Sequence, residues 1–501
     1  MRRSVGAVPS NAATREPRPD SQLCGHWRLT EPQLAFDLVD PNQRHVNPLV
    51  GLDRFGPNSA RTLGVFVPEI RIAMLSPAPD LTRLRQQLNE LWVPQQPRER
   101  VDYLPAFRGF PQVMRTKLRP ATDSAQVLLP ADLDTRLAAS SAPHRVLAAA
   151  LIDVLRQLLP VRDVFDVVVF YLPRRYHSLF ELPEENFHLH DTVKGFAATS
   201  GLTTQIITDE ALEYTCRASV AWRLSIALYA KAGGTPWALP AAPGHQPDEY
   251  TTEDVAYIGL SYALRPSADG ATTFVTCCSQ VFDADGGGME FIAYDVGEGR
   301  DLHNPYLTRD QMRLVLARSL AVYQRRHAGR SPARLIVHRQ SPFRPDEVAG
   351  ALDAWGGAVQ DLTAVNIIRP RWNGFSLVPN RRTGSSRPGY AVDRGTVQQL
   401  DGRSALLWVA GNAKSATLSG QANYLQGGKG APRPLLLTRD AGASSLDEIA
   451  RQVLALSKLN WNNDSLYDPL PVTLRYAQVL ARTIKHLPKL TPRPYDYRLF
   501  M

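Results

Sequence analysis

The sequence predicts an α/β protein of two domains, a Rossmann-like domain followed by an RNase H-like domain. Strand-like and helix-like segments alternate through the first half, and a segment rich in proline and acidic residues interrupts the chain near residue 248. Beyond it, three strand-like runs precede a further alternation of helices and strands. The first order is typical of a parallel sheet covered by helices. The second order is that of an RNase H-like domain.

The amino-acid composition indicates which class of binding partner to expect. The 501 residues include 57 Lys and Arg against 48 Asp and Glu, a formal charge of +9, which suits a polyanionic partner. Only 8 of these basic residues are lysines. No apolar run approaches the roughly 18 residues that span a bilayer, and the basic start lacks an apolar segment, so we expect a disordered tail and a cytoplasmic protein. Four cysteines without CxxC spacing predict neither zinc nor a disulfide.

The tail and an N-terminal segment are assigned to residues 1–60, and the first domain to residues 61–248. NPLVGLDRFGP reads as a turn-rich stretch, followed by a strand at Arg71–Leu75 and the helix LTRLRQQLNELW. A helical stretch over Ala131–Leu159 precedes Val164–Leu172, whose β-branched, apolar residues indicate a strand covered on both faces. A helix in DTVKGFAATSG, the strand TQII and a helix ending at the glycine pair of YAKAGG complete this domain.

The second domain is assigned to residues 249–501. VAYIGLSYAL, TTFVTCCSQVF and MEFIAYDV are separated by glycine and aspartate turns and predict an antiparallel meander. Periodicity then predicts helices at Thr308–His327, Pro345–Trp355, Ser445–Leu456 and Val472–His486, with the strand ARLIVH between the first two.

Four polar residues of the first domain predict an anion site. His190 and Lys194 lie one helical turn apart and therefore on one helix face, Gln205 is on the next strand, and Lys231 ends the following helix. Cationic donors and a glutamine amide give the charge-assisted hydrogen bonds that a phosphate accepts. Two of the eight lysines of the chain fall in this pattern.

HDTVKGFAATSGLTTQII and SIALYAKAGGTPWALP resemble the guide-anchoring signature of the MID domain of Argonaute proteins. YIGLSYAL, LIVHRQSPF and DPLPVTLRYAQVLARTIKHL resemble the PIWI domain, and the resemblance covers about residues 45–501. It leaves no room for a PAZ domain. The chain is therefore similar to a short prokaryotic Argonaute that consists of a MID domain and a PIWI domain.

The resemblance implies roles for individual residues. His190, Lys194, Gln205 and Lys231 become ligands of a guide 5′-phosphate, with His190 at a position where tyrosine is common. It also implies that Gln205 and the terminal carboxylate of Met501 hold Mg²⁺ beside that phosphate.

Argonautes that cut their target carry aspartates that bind two metal ions, and this sequence departs from that pattern. Leu260 or Ser261 stands at the first aspartate position, and Gln340 or Ser341 at the second. Asp283, Asp285 and Glu290 on nearby turns offer a rebuilt carboxylate site as the alternative. The resemblance thus implies a catalytically inactive PIWI domain, and an active nuclease is the second hypothesis.

The resemblance further implies a small RNA guide, a single-stranded DNA target from plasmids or phage, and prokaryotic immunity as the setting. It implies a separately encoded partner with an APAZ domain, fused to a TIR, Sir2 or nuclease effector. A nucleotide-binding enzyme is a third reading, but the chain has neither GxGxxG after a strand nor GxxxxGK[ST].

Overall fold

The fold is taken from a computed structural model that describes residues 25–240, 255–266, 272–281, 290–298, 306–370, 392–420, 432–485 and 494–501. The predicted tail, the boundary near residue 248, and the acidic residues Asp283 and Asp285 lie outside these ranges. No helix in the described part is long and apolar enough to cross a bilayer.

The N-terminal segment contains three short strands and two helices. They are β1 (His26–Arg28), β2 (Leu34–Ala35), β3 (Arg44–His45), α1 (Pro48–Phe55) and α2 (Ala60–Phe66). The expected turn-rich stretch is wrong here, because the Asn47 side chain accepts hydrogen bonds from the amides of Leu49 and Val50 and caps α1. Pro48 follows it in the first helical turn, where a missing N–H costs nothing.

The first domain is built on a five-stranded sheet. Its elements are β4 (Glu69–Ser76), α3 (Leu81–Glu90), α4 (Phe110–Met114), β5 (Lys117–Pro120), β6 (Gln126–Leu128), α5 (Leu133–Ala139), α6 (Pro143–Leu158), β7 (Val167–Leu172), β8 (Glu181–Leu182), β9 (Phe187–His188), α7 (Leu189–Thr199), β10 (Thr204–Thr208), α8 (Asp209–Glu213) and α9 (Arg217–Lys231). The sheet order is β10-β7-β4-β5 with β6 beside β4, and every pair is parallel.

Both faces of this sheet are buried. Every residue of β7 is buried, and its alternate side chains enter two separate apolar cores, Val167 and Val169 on one face and Val168 and Phe170 on the other. Alternation along a strand sends neighbours to opposite faces, so both faces are covered. The Rossmann-like prediction is confirmed.

The second domain is built on a ten-stranded sheet. Its elements are β11 (Val255–Pro266), β12 (Thr272–Val281), β13 (Glu290–Glu298), α10 (Arg309–Arg326), β14 (Arg334–Arg339), α11 (Pro345–Trp355), β15 (Asp361–Ile368), β16 (Thr396–Gln399), β17 (Ser404–Leu407), β18 (Leu435–Ala441), α12 (Leu446–Leu456), α13 (Val472–Lys485) and β19 (Pro494–Asp496). The strands run in the order β1-β16-β17-β18-β15-β14-β11-β12-β13-β19.

The pairing in this sheet has the pattern predicted from the sequence. Strands β11, β12 and β13 form an antiparallel meander, and β14 and β15 then add in parallel beside β11. The RNase H-like prediction is confirmed. Strand β1 pairs with β16, so the N-terminal segment supplies one edge of the sheet of the second domain.

Helix α13 lies across β11 and β14 at very short range. A methyl group on Gly259 would come within 2.2 Å of the carbonyl oxygen of Thr473 in α13. On the neighbouring strand, Nδ1 of buried His338 lies 2.9 Å from the Thr473 hydroxyl. Helix α13 can therefore approach the sheet this closely only because residue 259 has no side chain.

We predict that Gly259→Ala lowers the free energy of unfolding by about 1–3 kcal/mol, because a methyl group forced against backbone displaces the helix. Urea unfolding measures the change. Gly357→Ala is the matched control, since a methyl group on Gly357 would meet no heavy atom within 4 Å. A Gly259→Ala protein as stable as the control variant would contradict this account of the packing.

A basic cleft between the two domains

A cleft of about 860 Å³ opens between the first domain and the second. It contains all four residues that the sequence singled out, His190, Lys194, Gln205 and Lys231, and Met501 as well. Seven basic and two acidic side chains line the described part of this cleft. That excess of positive charge in a concave site favours an anionic partner over a neutral or cationic one.

Three consecutive elements of the first domain position the four residues. His190 and Lys194 lie on one face of α7, Gln205 is the second residue of β10, and Lys231 is the last residue of α9. Both lysines are only 4% exposed. The Lys231 ammonium donates a hydrogen bond of 2.6 Å to Oε1 of Gln205. Residues 26 positions apart are thus in direct contact.

Burial disfavours the charged form of both lysines and lowers their pKa values. Desolvation lowers the pKa of Lys194 to about 7, with the guanidinium of Arg482 adding to the effect and Asp191 opposing it. Desolvation, and then the charge of Lys194, lower the pKa of Lys231 well below its usual range. Burial and Lys194 also lower the pKa of His190 to about 4, so this imidazole is neutral at pH 7. A bound anion would reverse these shifts.

Asp191 lies behind the cleft residues His190 and Arg482, and sequence reasoning missed it. Its carboxylate is fully buried and lies 3.1 Å from Nδ1 of His190 and 2.9 Å from Nε of Arg482 in α13. Burial alone would raise the pKa of Asp191, but these partners outweigh burial and lower it. An acidic residue in the first turn of a helix is usually explained by the helix dipole, so nothing in the sequence pointed to a bond between the domains.

The arginines of the cleft differ in their partners. Arg100 pairs with Asp464 at 3.3 Å, and Arg475 pairs with Asp468 at 3.4 Å. Arg223 of α9 and Arg369 after β15 are exposed and have no ion-pair partner within the described ranges. They face the same cleft from opposite domains. Burial lowers the pKa of Arg369, and the charge of Asp468 acts against that effect.

The side chain of Met501 is buried, and Phe500 and Met501 together line the cleft. The end of the sequence thus lies in the same cavity as Gln205. Whether the residues fit a metal ion depends on their charges. Oε1 of Gln205 already accepts a hydrogen bond from Lys231, and two lysines crowd the site, so a cation fits only together with an anion.

The residues that the sequence offered as alternatives, Leu260 or Ser261 and Gln340 or Ser341, differ in the face of the sheet or the partner that they have. Ile258 and Leu260 pack into the core with α10 and α11, whereas Gly259 faces α13. Strand alternation therefore turns Ser261 towards α13 and Leu260 away from it. On β14, His338 contacts α13 while Arg339 pairs with Glu347 of α11 at 2.5 Å.

Gln340 shares the face of Ser261, and a residue of α13 completes this group. Leu260 is opposite Arg339 in the parallel register, so Ser261 and Gln340, the first residue after β14, are one step further along the chain. The amide of Gln478 donates a hydrogen bond to Oε1 of Gln340, whereas Ser341 accepts from Arg339. Ser261, Gln340 and Gln478, a neutral set, therefore share one face of the sheet.

Glu290 cannot join this group. In the meander register it is in line with Gln280 and Ile258, on the face covered by α10, where its carboxylate lies 3.9 Å from Arg325. That face is opposite the one occupied by Ser261. Asp283 and Asp285, the other two residues of the alternative carboxylate site, lie outside the described residues.

No known family model matches the chain, and no curated protein matches it in sequence. Solved structures do match it. The Argonaute of Clostridium butyricum, solved with a guide DNA and a target DNA, has a TM-score of 0.60 at 14% identity and covers 95% of this chain. The Argonaute of A. aeolicus has a TM-score of 0.55 at 15% identity, and Drosophila Piwi has a TM-score of 0.59 at 14% identity. Each match covers 95% of this chain.

The chain spans only 54%, 55% and 56% of the length of these three structures, respectively. At such low identity the likeness concerns the fold. The resemblance noted in the sequence is confirmed at this level, because the described residues have the arrangement of Argonaute MID and PIWI domains.

We predict that Lys194→Met stabilises the protein. A lysine whose pKa falls from 10.5 to about 7 on folding destabilises the fold fully below pH 7, and the effect disappears as the pH rises past 10.5. Its removal should raise the free energy of unfolding by about 1–3 kcal/mol at pH 7 and by less at pH 10.

Urea unfolding at both pH values measures this. Lys485→Met, at an exposed position in the last turn of α13, is the matched control and should change stability by less than about 0.5 kcal/mol. A Lys194→Met protein that is less stable than the wild type at pH 7 would refute the view that the free cleft carries unfavourable charge.

Proposed function

We propose that the chain is a short prokaryotic Argonaute that holds a small guide RNA by its 5′-phosphate and pairs it with a single-stranded DNA target without cutting that target. The observation that carries the proposal is the meeting of Lys194, Gln205 and Lys231 in one positively charged cleft. Two buried ammonium groups without an adequate counter-ion are unfavourable in the free protein, and a terminal phosphate supplies the missing charge.

In this proposal the cleft distinguishes the end of a strand from its middle. A 5′-phosphate carries up to two negative charges and three terminal oxygens, and a phosphodiester carries one charge. Lys194 and Lys231 each donate to a phosphate oxygen. The bound phosphate favours the protonated imidazole of His190, which then donates from Nε2 while Nδ1 faces Asp191, and the ring also offers a surface for the first base. The exposed arginines Arg223 and Arg369 contact the backbone that follows.

Mg²⁺ is proposed as the ion that accompanies the phosphate. The amide oxygen of Gln205 and the carboxylate that the resemblance implies at Met501 would hold it, together with phosphate oxygens, which are the ligands that Mg²⁺ prefers. When bound, the ion neutralises part of the phosphate charge. Because Gln205 accepts from Lys231 in the free protein, this hydrogen bond is then broken, or the amide oxygen is shared between Lys231 and the ion.

The absence of cleavage is proposed from the neutral set Ser261, Gln340 and Gln478. Two divalent ions bound between protein and scissile phosphate need carboxylates to offset their charge. A hydroxyl and two amides supply none, and the two amides already bond to each other. The RNase H-like sheet would then bind a guide–target duplex through its shape and backbone charges.

A partner protein completes the proposal. The resemblance supports a separately encoded APAZ protein with a TIR or Sir2 domain that degrades NAD, or with a nuclease domain. Pairing of guide and target would activate that partner against plasmids or phage. The enzymatic step of the defence is thus assigned to the partner.

We expect Lys194→Ala combined with Lys231→Ala to weaken a 5′-phosphorylated guide much more than the same guide with a 5′-hydroxyl. Each charge-assisted contact contributes about 1.5–3 kcal/mol, so losing both should reduce the affinity for the phosphorylated guide roughly a hundredfold or more relative to the hydroxyl guide. Fluorescence anisotropy with both guides measures the ratio of affinities.

Arg223→Ala with Arg369→Ala is the control, because it removes two cations from the same cleft. It should weaken both guides alike and reduce the dependence of binding on salt, as backbone contacts do. If the lysine double variant kept the wild-type ratio between the two guides, the assignment of the two lysines to a 5′-phosphate would be wrong.

We also expect a guide-loaded chain to leave a complementary DNA or RNA target intact with Mg²⁺ or Mn²⁺, because Ser261, Gln340 and Gln478 cannot hold the metal ions of a cleavage site. Gel analysis of an end-labelled target tests this, and retention of that target on the loaded protein is the control for pairing. Products cut opposite the middle of the guide would establish the alternative, an active nuclease.

A further inference from the structure

A buried carboxylate of the N-terminal segment joins two basic residues of the second domain. Glu31 lies with Oε2 at 2.8 Å from Nε of Arg394 and with Oε1 at 2.8 Å from Nζ of Lys458. The side chains of Arg394 and Lys458 are completely buried, and that of Glu31 is only 9% exposed. We call Glu31, Arg394 and Lys458 the N-terminal clasp.

Each basic residue of the clasp makes further bonds to fixed parts of the chain. The Lys458 ammonium also donates to the carbonyl oxygens of Pro32 at 2.7 Å and Val46 at 2.6 Å, both in the N-terminal segment. The Arg394 guanidinium donates to Ser457 at 3.1 Å and lies 4.1 Å from the ring centroid of Tyr467. The clasp therefore holds the N-terminal segment on one side and residues 457–467 on the other.

Residues 457–468, between α12 and α13, form one wall of the basic cleft; we call them the cleft wall. The backbone amide of Asp468 donates a hydrogen bond of 2.6 Å to the carbonyl oxygen of Ser457, and the side-chain amide of Asn460 donates one of 2.8 Å to the Asp468 carboxylate. These bonds connect the two ends of the segment. Asn460, Tyr467 and Asp468 line the cleft. Clasp and cleft therefore share one short segment.

Charge makes the clasp sensitive to the loss of Glu31. Burial would raise the pKa of Glu31, but the charges of Arg394 and Lys458 outweigh burial and lower it. Burial lowers the pKa of Lys458 to about 8, and Glu31 acts against that effect. Without the carboxylate, two cations would be buried side by side, and such unpaired charges force rearrangement or deprotonation.

We infer that Glu31 is a positioning residue, which through Arg394 and Lys458 holds the cleft wall in the shape that binds a guide. The N-terminal segment thereby sets guide affinity without touching the guide. This step rests on the proposed function for its effect on affinity, whereas the ordering of the cleft wall can be measured on the protein alone.

The test compares Glu31→Gln with wild type in the full chain, by hydrogen exchange and by guide affinity. Asp393→Asn is the matched control, because Asp393 pairs with Arg28 at 2.7 Å and so joins the same segment to the same domain, but through exposed side chains instead of buried ones. Glu31→Asp keeps the charge on a shorter side chain and serves as the conservative variant.

We expect Glu31→Gln to speed amide exchange selectively in residues 457–468 and to weaken a 5′-phosphorylated guide by about tenfold, or about 1.4 kcal/mol. Asp393→Asn should change neither. Glu31→Asp should recover most of both properties, and it carries the test if Glu31→Gln does not fold. Exchange that is faster in residues 457–468 and unchanged elsewhere separates positioning from a general loss of stability, and recovery by Glu31→Asp assigns the effect to the carboxylate.

Unchanged exchange in residues 457–468 would overturn the inference, as would faster exchange accompanied by wild-type guide affinity. Equal effects of Glu31→Gln and Asp393→Asn would also overturn it, because the clasp would then only attach the segment. If wild type bound no guide, the proposed function would fail, and the exchange data alone would still decide whether Glu31 orders the cleft wall.

Discussion

Burial of Lys194 and Lys231 in one cleft is the constraint on which the rest of the site depends. Two ammonium groups withdrawn from water, with Asp191 as the nearby carboxylate, have lowered pKa values and favour whatever anion enters. A protein tolerates such a site only if the surrounding elements hold it in place. Helices α7 and α9 and strand β10 do so from the first domain, and α13 closes the cleft from the second.

Helix α13 links the features of the second domain. At its start, Thr473 packs against Gly259 and His338, which fixes its distance from the sheet. Along its length, Gln478 bonds to Gln340 in the neutral set, and Arg482 pairs with Asp191 in the first domain. Residues 475, 478 and 482 recur at helical spacing, so one face of this helix serves the cleft and the neutral set together.

Much of the fold and part of the candidate site could be predicted from the sequence, because the patterns that indicate them are local. The apolar strand β7 and the periodic helices identify the parallel sheet, and the spacing of His190 from Lys194 places both on one face. The Asn47-Pro48 pair begins a helix where the sequence was interpreted as a turn, although its capping chemistry is visible in the sequence. Asparagine and proline favour turns and helix starts alike, so the local residues alone did not separate the two.

Other features could not be predicted, because they join distant segments. Asp191 meets Arg482, and Glu31 meets Lys458, across separations of hundreds of residues that no periodicity records. That Ser261 and not Leu260 lies on the side of α13 could be seen only from the orientation of β11. Gln478 was overlooked because a glutamine on an amphipathic helix gives no chemical signal until its partner Gln340 is placed beside it.

The most direct test of the central claim is an experimental structure of the chain bound to a 5′-phosphorylated guide RNA. We expect the terminal phosphate within hydrogen-bond distance of the ammonium groups of Lys194 and Lys231, with the bond from Lys231 to Gln205 broken or shared. A guide bound elsewhere, or one whose 5′ end lies outside this cleft while Lys231 still donates to Gln205, would contradict it.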